Sequence, residues 1–120
     1  AVNTALGRMG MLICADSFKP ELLEQLKVTK PDLVIIPYGW AANETDWPHH
    51  GKALHKVVRN VAQKTGCPVI GTDLVGQITH GPWTGMTFGG QSVAVDAAGR
   101  ILAVGKDRDR DLLLIDLKIQ

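Results

Sequence analysis

The sequence lacks any apolar stretch long enough to cross a bilayer, and no signal-peptide pattern stands at its start. It has no basic run longer than a pair, and a net charge of only +1 over 120 residues. That balance gives a nucleic-acid backbone little to bind. Cysteine is scarce: Cys14 and Cys67 lie far apart, with no spacing suited to a metal site or a disulfide framework. Both read as reduced thiols of a cytoplasmic protein. His49, His50 and His55 also miss a metal pattern, because His50 and His55 are not four apart and no helical carboxylate neighbours them. The glycine-rich residues 85–90 lack the lysine and following helix of a phosphate loop. Internal repeats and low-complexity segments are absent. The start is bare as well: Ala1 is not methionine, and charge is thin before the first strand. This is the expectation for one piece of a longer polypeptide, incomplete at its amino-terminal side.

What is present suits one small folded domain spanning residues 1–120, with 45% hydrophobic and 21% charged residues. The chain is organised around Gly10-Met11-Leu12-Ile13-Cys14-Ala15-Asp16-Ser17-Phe18. After an irregular lead-in over residues 1–8, an apolar strand over 9–14 ends at Cys14. Asp16 or Ser17 can accept amide hydrogen bonds at the next helix start, and Pro20 fits a first helical turn. Leu22, Leu23 and Leu26 then carry an amphipathic helix to about residue 28. Open α/β proteins place their chemistry at such strand ends. Cys14 is there either a small buried packing residue or a thiol favoured as thiolate by a helix amino terminus.

Residues 33–36 form a second all-apolar strand, as expected of a parallel strand covered on both faces. The short crossover makes it parallel to the first, so the loop after Pro37 emerges beside Cys14. That loop carries Trp40, Glu44, Asp46 and Trp47, and either lines a pocket or connects in solvent. A helix capped by Thr45 or Asp46 starts near Pro48 and ends at Thr65-Gly66. Residues 67–72 are a third strand, with Cys67 at the opposite sheet end from Cys14 in a structural role. Residues 76–90 read as a long loop, and 91–96 and 101–104 as a hairpin across a 97–100 turn. The sign-alternating residues 107–111 are a soluble tip, and 112–117 a final strand. The predicted order is β-α-β-α-β followed by an antiparallel β-meander.

In this order the pieces resemble the carboxyl-terminal half of the nitrilase superfamily, the carbon–nitrogen hydrolases. Residues 10–16 are similar to its nucleophile motif, and residues 31–40 to the strand and pocket loop that follow. Trp47 and Arg59-Asn60-Val61-Ala62 are similar to its tryptophan and Arg-Ala-x-Glu-Asn helix, the last part being altered here. Residues 71–76 and 88–103 are similar to its next strand and its Gly-x-Ser hairpin. The resemblance implies half of an αββα sandwich and cleavage of a non-peptide C–N bond in an amide, ureido or nitrile compound, with no metal or cofactor. Carried over, Cys14 is the nucleophile, the Ala15 backbone N–H an oxyanion donor, and Asp16 a support of the turn. Tyr38, Trp40, Glu44 and Trp83 would shape the substrate pocket.

The departure is upstream. The family's glutamate base and lysine precede its cysteine by long stretches, yet only thirteen residues precede Cys14 and none is glutamate or lysine. Glu44 follows the nucleophile and is not that base, and Lys19 is too near the turn to be that lysine. Two expectations follow. The chain is the carboxyl-terminal part of a hydrolase completed by an amino-terminal half, or a non-catalytic association module in which Cys14 is a remnant. Either one exposes apolar surface and implies a partner, in a homo-oligomer or in the missing half. The segments 22–27 and 49–64 match the family's dimer face.

Overall fold

A computed structural model describes residues 1–119. Its main element is a six-stranded sheet, assembled from β1 (Val2–Thr4), β2 (Gly7–Met11), β3 (Leu33–Tyr38), β5 (Val69–Asp73), β8 (Val93–Val95) and β9 (Ile101–Val104). The spatial order is β1-β2-β3-β5-β8-β9. The three central strands β2, β3 and β5 are parallel, and the others join antiparallel. A small second sheet has the order β4-β7-β6, from β4 (Ala41–Ala42), β6 (Val75–Gln77) and β7 (Thr87–Gly89). Because β4 follows β3 and β6 follows β5, this small sheet extends from the carboxyl ends of the parallel strands.

Both helices lie on one face of the large sheet. Helix α1 (Pro20–Val28) starts with Pro20 in its first turn, where the missing N–H costs no hydrogen bond. Helix α2 (Gly51–Thr65) buries Leu54, Val58, Val61, Ala62 and Thr65, an i, i+4, i+7, i+8, i+11 stripe. It stops at Gly66, which takes a left-handed φ of 75° that a side chain would resist. Gly10 and Gly71 let the helices approach the strands. A Cβ at Gly10 would lie 2.9 Å from Leu26, and one at Gly71 2.6 Å from Val58. Val34, Ile36, Val69, Val93 and Val95 complete this core.

Strand pleating sends alternate residues to the other face. There Met11, Ile35, Ile70, Ala94 and Ala103 align in register across five strands. Among the described residues no helix covers this row. Met11 is 64% exposed and Ile13 beyond it 63%. The chain after β9 runs along part of it, with Leu112, Leu113 and Ile115 bordering a cleft of about 460 Å³ beside Ile70 and Ala94.

The β-α-β-α-β order and the 93–104 hairpin agree with the sequence reading. Four details differ. Residues 1–8 are not irregular: Thr4 Oγ1 donates to the Gly7 carbonyl at 2.7 Å and closes a β1–β2 hairpin, where Gly7 has a φ of 113°. Residues 76–90 are not one loop but contribute β6 and β7. Helix α2 starts at Gly51 without a side-chain cap; Asp46 contributes its carbonyl, to His50 N–H, rather than its side chain. Residues 112–117 form no strand. Arg108, at φ 52°, turns the chain and donates its N–H to the Gly89 carbonyl at 2.7 Å. The leucine run is thereby left without a sheet edge to pair with, and Leu114 is 92% exposed.

Candidate active site

The carboxyl ends of β2, β3 and β5 bring Cys14, Tyr38, Trp40 and Asp73 together. After β2 the chain enters a 3-10 turn, Cys14–Phe18, rather than continuing as a strand. Cys14 itself has a φ of 44°, in the left-handed region that ordinary residues avoid. Such strain persists only where neighbours over-determine it. Here Asp16 holds one side: its Oδ2 accepts the Ile13 N–H at 3.1 Å, and its own N–H donates to the Ile13 carbonyl at 3.0 Å. Ser17 holds the other side, donating its hydroxyl to the Cys14 carbonyl at 2.7 Å. Tyr38 donates in turn to Ser17 Oγ at 2.9 Å. Ser17 and Tyr38 are both buried, whereas Cys14 is half-buried and Ala15 exposed. Burial pushes the Tyr38 hydroxyl up to about 12, outweighing the Ser17 hydrogen bond, so it remains a donor throughout the neutral range.

The β3–β4 loop is fixed by Asp73. Its Oδ1 accepts the Trp40 N–H at 2.7 Å, while its Oδ2 is buried with no partner among the described residues. Burial raises the Asp73 carboxyl to about 6, against the Trp40 N–H and the nearby backbone amides that lower it. The Trp40 ring meets Phe18 edge-on at 5.7 Å and Tyr38 at 5.9 Å, and lies tilted against His50 at 5.7 Å. Its Nε1 is buried with no partner among the described residues. Trp47 packs edge-on against His50 and donates from Nε1 to the Thr87 carbonyl at 3.1 Å.

Cys14, Ala15, Asp16, Tyr38 and Trp40 therefore share one end of the sheet, as their sequence positions imply. Tyr38 is 3% exposed and its hydroxyl is engaged, so it backs the Cys14 turn instead of facing open space. Glu44 accepts from Arg108 Nη1 at 2.6 Å, and Thr87 together with Arg108 holds its carboxyl below the usual range. Trp83 is 63% exposed on the 78–86 hairpin and joins none of the ring pairs around Trp40 among the described residues. His50 packs between two tryptophans, and His55 Nε2 donates to the Gln91 carbonyl at 2.8 Å. Sequence reasoning missed the Ser17–Tyr38 link and the Asp73 anchor. The signals available were a serine three residues after the cysteine and one acid closing an apolar strand.

The family model of the carbon–nitrogen hydrolases matches residues 1–120. The chain belongs to the carbon–nitrogen hydrolase family. Among solved structures, a carbon–nitrogen hydrolase of Helicobacter pylori is 28% identical, with a TM-score of 0.78 over 91% of this chain. An amidase from Nesterenkonia is 26% identical, with a TM-score of 0.61 over 82% of the chain; its structure carries an acetamide moiety added covalently at the active-site cysteine. The NitFhit protein of Caenorhabditis elegans is 27% identical, with a TM-score of 0.68 over 89%. The chain spans only 40%, 33% and 24% of these three proteins respectively. No curated protein matches the sequence. The described residues cover only part of that fold, and they include the turn at Cys14, the loop beside it and one helical layer. Among the described residues, no helix is long and apolar enough to cross a membrane.

Proposed function

We infer that this chain is the carboxyl-terminal part of a carbon–nitrogen hydrolase that cleaves a small amide, ureido or nitrile compound through Cys14. The observation that carries the reading is the left-handed turn at Cys14, at the carboxyl end of the parallel strands and packed on the same core as Trp40. In this mechanism the Cys14 thiolate adds to the carbonyl carbon, a C–S bond forms, and the carbonyl electron pair moves to oxygen. The Ala15 N–H stabilises that oxyanion. Collapse re-forms the C=O bond and breaks the C–N bond, the nitrogen leaving as ammonia or amine after protonation by a general acid. Water then attacks the thioester and restores the thiol; a nitrile passes through the corresponding thioimidate.

The glutamate base and the lysine of this chemistry come from an amino-terminal half outside the present chain. Glu44 does not replace the base, because it is bound to Arg108. The row from Met11 to Ala103, which the chain after β9 covers only in part, supports this completion, since its exposed end at Met11 and Ile13 calls for a partner layer. The test is hydrolysis of a panel of amides, ureido acids and nitriles by the complete protein. Cys14→Ala is expected to abolish turnover of whichever class is cleaved. Equal turnover by the variant would refute the reading. The same exposed face favours one second reading, an association module with an idle Cys14, which predicts that the complete protein cleaves none of the panel.

A further inference from the structure

We propose that Ser17 and Tyr38 form a positioning relay that aims and polarises the Ala15 N–H toward the substrate oxyanion. The proposal rests on the reading of Cys14 as nucleophile and adds two residues to it. The Cys14 carbonyl and the Ala15 N–H belong to one peptide group, which is planar and conjugated. Ser17 donates to that carbonyl at 2.7 Å, and Tyr38 donates to Ser17 at 2.9 Å. A hydrogen bond at the oxygen of a peptide group draws electron density from its nitrogen, and successive donors strengthen one another. The same bond fixes the peptide plane, and with it the direction of the N–H.

Three observations separate this relay from ordinary core packing. Ser17 is a polar side chain only 2% exposed, and both of its hydrogen bonds belong to the relay. Tyr38 stands on β3, a different element, so the relay ties the turn to the rigid centre of the sheet. The carbonyl it reaches belongs to the residue with the strained φ, where a free peptide plane would otherwise rotate.

The relay makes two reactions of one thiol respond differently. Acylation of Cys14 by p-nitrophenyl acetate develops an oxyanion, whereas alkylation by iodoacetamide does not. Both rates are measured on the complete protein, with the modified cysteine located by peptide mass. Tyr38→Phe keeps the ring and removes one donor, and Ser17→Ala removes both hydrogen bonds. Each is expected to slow acylation roughly three- to tenfold and to leave alkylation unchanged. Because the donors act in series, the double variant is expected to match Ser17→Ala alone. Acylation and alkylation falling by the same factor in both variants would overturn the proposal, as would acylation that does not fall. If Ser17→Ala fails to fold, the Tyr38→Phe ratio alone decides. Failure of Cys14 as the nucleophile is distinguishable: it leaves amide turnover intact in Cys14→Ala, whatever the relay ratio.

Discussion

Replacing Asp73 with asparagine should stabilise the chain at neutral pH and make no difference in acid. The carboxyl sits at about 6, compared with its ordinary value of 3.8, because burial outweighs the Trp40 N–H and the other backbone amides near it. A carboxyl with a raised folded value binds its proton more tightly in the native state. Its protonated form therefore favours folding below about 4, and that advantage is lost as pH rises through about 6. At 1.36 kcal/mol per pH unit the full penalty at neutral pH is about 3 kcal/mol, and solvent screening reduces it to roughly 1–2 kcal/mol. Asparagine keeps an oxygen for the Trp40 N–H, 2.7 Å away in the native chain, and carries no charge. Urea unfolding of both proteins between about pH 4 and about pH 8 tests this. The variant should be more stable at the upper end by that amount, and the curves should converge at the lower. Glu44 and Asp96 have lowered carboxyls and lose stability as pH falls, but they do so equally in both proteins. A variant less stable than the native chain at neutral pH, or a gap independent of pH, would refute the reasoning.

Gly89→Ala should destabilise by roughly 1–3 kcal/mol, since the new Cβ would fall on the Trp47 ring; thermal unfolding measures it, and an unchanged midpoint contradicts it. Leu54→Ala, at a fully buried position facing the sheet, should cost about 2–5 kcal/mol by the same assay. Arg108→Ala should raise the Glu44 carboxyl toward its ordinary 4.5 while Thr87 still holds it down, a shift visible in a carboxyl-carbon NMR titration. An unmoved Glu44 would show that the ion pair at 2.6 Å does not form in solution.

The parallel strands were legible because Leu33-Val34-Ile35-Ile36 is apolar without alternation, and α2 because its stripe keeps a helical period up to Gly66. Periodicity also misled. Leu112 to Leu117 has strand composition, but a strand needs a neighbour, and Arg108 carries the chain away from β9 toward Gly89. The reverse holds for β6 and β7, which are rich in glycine and polar residues and form through pairing with each other and with β4. At the candidate site, Cys14, Asp16 and Trp40 could be placed from the strand–turn–helix order alone. The roles of Ser17, Tyr38 and Asp73 could not, because each depends on a contact between elements 21 or 33 residues apart in sequence. The pairing of Glu44 with Arg108 and the exposure of Trp83 were likewise not legible in the sequence, because both depend on where the loops settle.

The most direct test is to quench the complete protein with acid during turnover of a small amide and map the covalent adduct by peptide mass. The account predicts an acyl group on the peptide containing Cys14, absent when Cys14 is replaced by alanine. An acyl group on another residue, or undiminished turnover without Cys14, would contradict it.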